Sequence, residues 1–239
     1  MIQLHNALNP DGSSGLIQLV ASPIGNLGDI TFRAVEALRT AAVIACEDTR
    51  HSRRLLDHLQ IRDKELVALH DHNERSRSLS LVERALNGEK IVYLSDAGTP
   101  GISDPGYRLV NAAHDAGVRV EVLPGPSAVV TALAGSGMPS DAFFFGGFLP
   151  VKSGRRTNEL TEALARRETS IYFESPHRIV GTLRILAELA SDREVCVARE
   201  LTKKFETFHR GTATMLFEEF TARPPKGEIT LLVRGAGRS

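Results

Sequence analysis

The chain is poor in the features that mark several large protein classes. It has only two cysteines, Cys46 and Cys196, and both lie inside apolar runs. That placement reads as buried free thiols, which points away from a disulfide-stapled secreted fold. There is no excess charge of either sign: Lys plus Arg number 29, and so do Asp plus Glu. A protein that binds nucleic acid over its whole surface is usually basic, so any such contact here must come from local charge. No run approaches the ~18 apolar residues of a membrane span, and Met1-Ile2-Gln3-Leu4-His5-Asn6 lacks the basic and apolar regions of a signal peptide. A cytoplasmic protein with no membrane partner is expected.

Common catalytic signatures are missing as well. The first glycine loop, Pro23 through Gly28, is not G-x-G-x-x-G, so the ordinary dinucleotide fingerprint is absent. No G-x-x-x-x-G-K-[ST] occurs, which argues against a P-loop NTPase. Without a G-x-S-x-G elbow or a histidine near either cysteine, covalent hydrolysis is disfavoured. Neither an internal repeat nor a low-complexity segment is visible.

What is present is an alternation of buried strands and amphipathic helices. Strands are predicted at 16–21, 42–46, 66–69, 91–94 and 118–122. Between them fall helices over 31–40, around Leu55, Leu56 and Leu59, up to Asn87-Gly88, from an Asp104 N-cap with Pro105 in the first turn, and through Leu133. Such alternation implies an α/β fold with a mainly parallel sheet, whose ligands collect at the carboxyl ends of the strands. The second half reads differently. Phe143 to Phe148 is rich in phenylalanine, and Lys152 to Arg156 looks like a mobile basic loop. Strands at 169–173, 194–198, 206–211 and 228–233, with helices opened by Ser175-Pro176 and near 212–221, include a direct strand succession that suggests antiparallel pairing in a mixed sheet. The expected organisation is a loose tail over 1–15, an N-terminal α/β domain over 16–124 and a C-terminal α/β domain over 125–235.

Polar clusters recur at the predicted strand ends. The densest is S-D-A-G-T-P-G-I-S-D-P-G, residues 95–106. Glycine there permits close backbone approach, proline fixes φ, and aspartate supplies an acceptor, so the loop reads as one wall of a small-molecule site. Glu47-Asp48 follow the first glycine loop at about the 20-residue distance at which an acidic residue meets a ribose, a weak signal taken alone; a helix start favoured by negative charge is the other reading. His70-Asp71-His72 invites a metal, but no Cys or further His stands at ligand spacing, and a hydrogen-bonded loop or a substrate surface is the expectation. Glu174, in Phe173-Glu174-Ser175-Pro176-His177-Arg178, sits either in a cleft or in a structural pair with Arg178. Arg199 to Lys204 and Lys226-Gly227-Glu228 are similar clusters. Their recurrence in both halves favours an active cleft between two domains.

Taken together, S-P-I-G-N-L-G-D-I-T, E-D-T-R, H-D-H-N-E, the 95–106 loop, L-P-G-P-S-A, E-S-P-H-R and A-R-E-L-T-K-K-F-E resemble one family. It is the ribosomal RNA small subunit methyltransferase I group of the tetrapyrrole (corrin/porphyrin) methylase superfamily, and the likeness runs in order from residue 16 to 233. The resemblance implies a two-domain tetrapyrrole-methylase-like fold, a homodimer, and S-adenosylmethionine (SAM) as cofactor. It also implies methylation of a ribose 2′-hydroxyl of one cytidine in the decoding region of 16S rRNA, within the 30S subunit. Carried over by motif, the SAM wall includes Pro23, Asp96, Ala97, Gly98, Thr99, Ser127 and Ala128, with Phe173, Glu174 and Gly227 from the second domain.

A ribose hydroxyl is a poor nucleophile until it loses its proton. Glu174 and Glu200 are candidate bases, with Lys203 or Arg199 to favour the alkoxide or hold phosphate; structural pairing is the other reading of each. RNA contact is expected from Arg50, Arg53 and Arg54, from Lys152, Arg155 and Arg156, and from Lys204, any of which is otherwise a solvated face. Two further functions remain open. One is SAM-dependent methylation of a tetrapyrrole or another non-RNA substrate; the other is a non-catalytic nucleotide-binding role in ribosome assembly.

Overall fold

The computed structural model describes residues 15–237. The expected loose tail, 1–15, lies outside the described residues except for Gly15. The chain divides at Ser127/Ala128 into two compact units, a little beyond the boundary after residue 124 expected from the sequence.

In the first unit, strands β1 (Leu16–Val20), β2 (Val43–Cys46), β3 (Glu65–Ala68), β4 (Lys90–Leu94) and β5 (Arg119–Leu123) form one sheet. Its order is β3-β2-β4-β1-β5 and every pairing is parallel. Helices α1 (Phe32–Thr40), α2 (Thr49–His58), α3 (Glu74–Leu86) and α4 (Tyr107–Asp115) supply the crossovers. Successive strand residues point to opposite faces, and both faces are covered. Ile17, Val43, Ile91 and Tyr93 pack with Leu81 and Ala85 of α3 and with Leu109 and Ala113 of α4. Val20, Ile44, Val92 and Leu94 pack with Ala34 and Leu38 of α1 and with Leu55 and Leu56 of α2. Each fully buried Leu or Ile adds ~1.5–3 kcal/mol, so the strands hold their register firmly. Ala68, Cys46, Leu94, Val20 and Leu123 share one rung at the carboxyl end. The loops that follow therefore leave the sheet side by side.

The second unit opens with α5 (Ala128–Ser136) and continues through β6 (Phe143–Phe148), α6 (Ser153–Ala165), β7 (Thr169–Glu174), α7 (Ile179–Leu189), β8 (Glu194–Arg199), β9 (Thr207–Thr212), α8 (Ala213–Ala222) and β10 (Ile229–Val233). The sheet order is β6-β7-β10-β8-β9, parallel between β6 and β7 and antiparallel elsewhere, which is the mixed sheet expected. Glu174, Ile229, Arg199 and Thr207 lie on one rung. The end of β6 comes to the same edge, with Phe148 beside Phe173.

Two expectations need correction. Lys152 to Arg156 is no mobile loop: Lys152 precedes the first turn of α6, whose buried positions, Leu160 and Ala163, come later and leave the basic start without an apolar signature. Helix α7 begins at Ile179, because Ser175 to Arg178 form a separate turn in which the Ser175 carbonyl accepts from the Arg178 and Ile179 N–H groups, each at 3.0 Å. Both cysteines are free and buried, as read from the sequence, and burial pushes the Cys196 thiol up to about 11.

Candidate active site

Main-chain bonds join the loops after β1 and β4. The Ser22 N–H donates to the Gly98 carbonyl at 3.0 Å, and the Gly98 N–H returns a bond to the Ser22 carbonyl at 3.0 Å. The Ser95 hydroxyl donates to that same Gly98 carbonyl. Gly98 sits at φ +78, in the left-handed region that a side chain resists. The loop after β5 is tied in by the Thr99 hydroxyl, which donates to the Pro126 carbonyl at 3.3 Å. A Cβ on Gly125 would stand 2.8 Å from the Ala21 Cβ, so glycine is what lets this loop close on the end of β1. Pro23, Asp96, Ala97, Gly98, Thr99 and Ser127 are thereby gathered on one edge of the first unit.

Four carboxylates share that edge. Asp96 accepts from the Asp48 N–H at 3.3 Å, but burial still holds its carboxyl above the usual range. Burial, then the charges of Asp96 and Asp71, raises Glu47. Asp104 is pushed up to about 7 by burial and by Glu47, Asp96 and Asp71. No hydrogen bond reaches Asp104 among the described residues. Beneath these groups lies the fully buried Tyr93, whose hydroxyl has no partner among the described residues and is held neutral by burial and the surrounding carboxylates. Among the described residues, no His, Cys, Asp and Glu group is arranged to hold a metal. The His70 loop is organised instead by Asn73, which accepts from the His70 N–H at 2.9 Å and donates to the Ala68 carbonyl at 3.1 Å.

Asp104 is not the N-cap of α4; Gly106 is, at φ +131 with no capping side chain of its own. The cap comes from Glu74, at the start of α3. Its buried Oε1 accepts from the Gly106 N–H at 2.8 Å and from the Arg108 N–H at 3.1 Å. A local capping rule has no view of an acceptor so far back in the chain. The result is that Asp104 is freed for the acidic edge.

On the edge of the second unit, Glu174 is wholly buried and fully engaged. Its Oε1 meets the Arg178 guanidinium at 2.6 Å and accepts from the Ser175 N–H at 2.8 Å. Its Oε2 accepts from the Thr182 hydroxyl at 2.7 Å. Arg178 also donates to the Leu149 carbonyl at 3.2 Å, tying the β6–α6 connection to the end of β7. The ion pair with Arg178 that the sequence allowed is therefore present.

Glu200, at φ +51, exchanges bonds with Glu228: each N–H is donated to the other residue, at 2.9 Å. The Glu228 N–H and the Lys203 ammonium hold the Glu200 carboxyl below its usual range. Lys203 donates to Glu200 at 3.0 Å and to Glu228 at 2.9 Å; burial works against its charge, but the two carboxylates outweigh burial and raise it. A Cβ on Gly227, at φ +90, would fall 2.3 Å from the Glu200 Cδ, so Gly227 is the gap into which that carboxylate fits. The Phe173 ring stacks edge-on and tilted against Phe145 and Phe148, at 5.1 Å and 5.3 Å. Ala128 opens α5.

The basic candidates fall into three groups. Arg50, Arg53 and Arg54 project from α2, and all three are exposed. Lys152 and Arg155 are exposed at the start of α6, whereas Arg156 is half-buried with its Nε unpartnered among the described residues. Lys204 is exposed in the β8–β9 loop. Among the described residues no helix is long and apolar enough to cross a membrane.

The parallel sheet, the mixed sheet and the stitched strand-end loops define a known class. The chain belongs to the tetrapyrrole (corrin/porphyrin) methylase family, whose model matches residues 17–216. Its likeness to particular members is close. It is 49% identical to ribosomal RNA small subunit methyltransferase I of Vibrio cholerae over 235 residues, 96% of this chain and 80% of that protein. The protein of the same name in Escherichia coli O157:H7 is 46% identical over 230 residues, 94% of this chain and 79% of its own. Among solved structures, a diphthine synthase aligns with a TM-score of 0.70 at 16% identity, covering 92% of this chain and 90% of that one, a likeness of fold alone.

Proposed function

We propose that this chain is a SAM-dependent methyltransferase of small-subunit ribosomal RNA. The acceptor we assign is the ribose 2′-hydroxyl of one cytidine in the decoding region of 16S rRNA, presented by the 30S subunit to a cytoplasmic homodimer. The observation that carries the donor assignment is the stitched edge of the first unit. Main-chain groups around Gly98 lie there with half-buried carboxylates. When bound, SAM supplies a methyl group activated by a sulfonium. Glu47, Asp96 and Asp104, crowded and raised, fit a ligand with a positive sulfonium and ammonium, and the Tyr93 hydroxyl has no partner among the described residues. Pro23, Ala97, Gly98, Thr99 and Ser127 supply the rest of the donor contacts from the first unit.

Acceptor chemistry falls to the second unit. Lys203, locked in a charged state by two carboxylates, stabilises the developing alkoxide or holds a neighbouring phosphate. Glu200 is the residue that positions it. A carboxylate held below its usual range is a weak base, and Glu174 has no free oxygen, so we assign no side-chain base and attribute much of the rate to alignment of the hydroxyl. Arg50, Arg53, Arg54, Lys152, Arg155, Arg156 and Lys204 bind phosphates, and two protomers pool these weak patches.

The test offers labelled SAM with naked 16S rRNA, with 30S subunits or with a tetrapyrrole. Label is expected on RNA alone, in a dinucleotide that resists alkali because its 2′-oxygen is blocked. Label on the tetrapyrrole with none on RNA overturns the reading, and no transfer at all favours the non-catalytic assembly role. Asp96→Ala is expected to weaken SAM binding, and Lys203→Ala to lower RNA methylation while leaving SAM affinity intact.

A further inference from the structure

Phe205 stands out among the exposed apolar residues because the loop beneath it is so firmly built. The residue is 63% exposed. A lone exposed phenylalanine ordinarily means little. Here the carrying loop, Glu200 to Glu206, contains two non-glycine residues in the left-handed region, Glu200 at φ 51 and Thr202 at φ 64. Such residues are uncommon and persist only where the surroundings over-determine them.

The surroundings do so. The Lys203 N–H donates to the Glu200 carbonyl at 3.0 Å, the Glu206 N–H to the Lys203 carbonyl at 3.1 Å, and the Thr202 N–H to the Glu206 carboxylate at 2.6 Å. Arg199 then spends its whole guanidinium on the same place. Its Nε donates to the Thr207 hydroxyl at 3.1 Å, and its two terminal nitrogens donate to the Lys226 carbonyl at 2.9 Å and to the Phe205 carbonyl at 3.1 Å. The peptide that carries the exposed ring is therefore pinned from below.

Positive charge flanks the ring. The Lys204 ammonium stands 5.6 Å from the ring centroid. Neither Lys204 nor Lys226 is paired with a carboxylate among the described residues, although Lys203 beside them holds two. A flat apolar ring on a pinned peptide, with the Lys204 ammonium over one face and exposed Lys226 on the segment that the same Arg199 holds, offers an unstacked base its other face and the neighbouring phosphates two cations. An apolar protein partner would gain nothing from those two cations.

We propose that Phe205 is a stacking platform for a nucleobase of the RNA substrate, with Lys204 and Lys226 on the adjoining phosphates. The proposal rests on the RNA reading above and adds to it a residue that receives the strand. The absence of tryptophan from the chain provides a direct probe. In the full-length protein, Phe205→Ala is expected to raise KM for 30S subunits roughly tenfold or more, with SAM affinity and thermal stability unchanged. Phe205→Leu behaves like Phe205→Ala, whereas Phe205→Trp keeps the wild-type KM and its single indole is quenched as RNA saturates the protein.

Recovery of KM by Phe205→Leu overturns stacking in favour of plain apolar contact. Indole emission that RNA leaves unchanged also overturns it, as does a change in oligomeric state in Phe205→Ala, which would assign the ring to a contact between copies of this chain. Wild-type transfer of label to RNA with an indifferent Phe205→Ala sinks the platform alone. Failure of the wild type to label RNA takes down both readings.

Discussion

Asp104, which we assign to the donor site, weakens the fold at the pH where its charge would serve that site. Its carboxyl is raised to about 7, whereas an unfolded aspartate titrates near ~3.9. Between those two values the folded chain keeps a proton that the unfolded chain has lost. Folding stability from this group therefore falls as pH rises from about 4 to about 7 and is level above that. Asp104→Asn stays neutral throughout. It is expected to raise the melting temperature at pH 8, with the gain shrinking to nearly nothing by about pH 3.5, below the unfolded value, and to weaken SAM binding at pH 8, where the ionised cluster suits a cationic donor. Melting curves at the two pH values check the first part, and an equal gain at both would refute the linkage. The other groups facing Asp104, namely Glu47, Asp71 and Asp96, move its titration together with their own.

At the scale of elements, the first turn of α4 is held by α3. Glu74→Ala removes the acceptor for two main-chain N–H groups, and losses of a cap or of a buried acceptor run at about 1–3 kcal/mol. The expected outcome is a melting temperature several degrees lower and looser SAM binding, because the loop ending at Gly106 loses its anchor. Glu74→Gln, which keeps one acceptor oxygen, should lose less; equal losses in calorimetry would mean that the pairing with Arg108 matters and the cap does not. Elements of this kind were legible where burial imposes a period. The five parallel strands and the antiparallel β8–β9 pair could be read because their apolar runs are continuous. The start of α6 could not, since its first turn is basic and exposed. The site divided along the same line. Of the site we propose, local chemistry picked out Asp96 and Gly98, whereas the places of Glu74, Tyr93 and Asp104 depend on contacts made across the fold.

For the whole molecule, balanced charge means that RNA affinity has to be assembled from patches. Methylation of 30S subunits should weaken steeply with salt, while SAM binding should hardly respond. Replacing Arg53 or Arg54 by alanine is expected to lower the slope of log affinity against log salt by about 0.7–0.9 for each phosphate no longer neutralised. A slope unchanged by both substitutions would leave α2 as a solvated face.

The order of strands in the first sheet has a further consequence for how this protein is made. The inner strand β1 is bordered by β4 and β5, so the segment synthesised early finds no neighbour until residues 90–94 have left the ribosome. At ~5–20 residues per second that wait is on the order of ten seconds, with an apolar strand left uncovered. Strands β2 and β3 can pair sooner. Nascent chains halted just short of residue 90 are therefore natural clients for chaperones, and the Ser22–Gly98 stitch can close only once Gly98 has emerged.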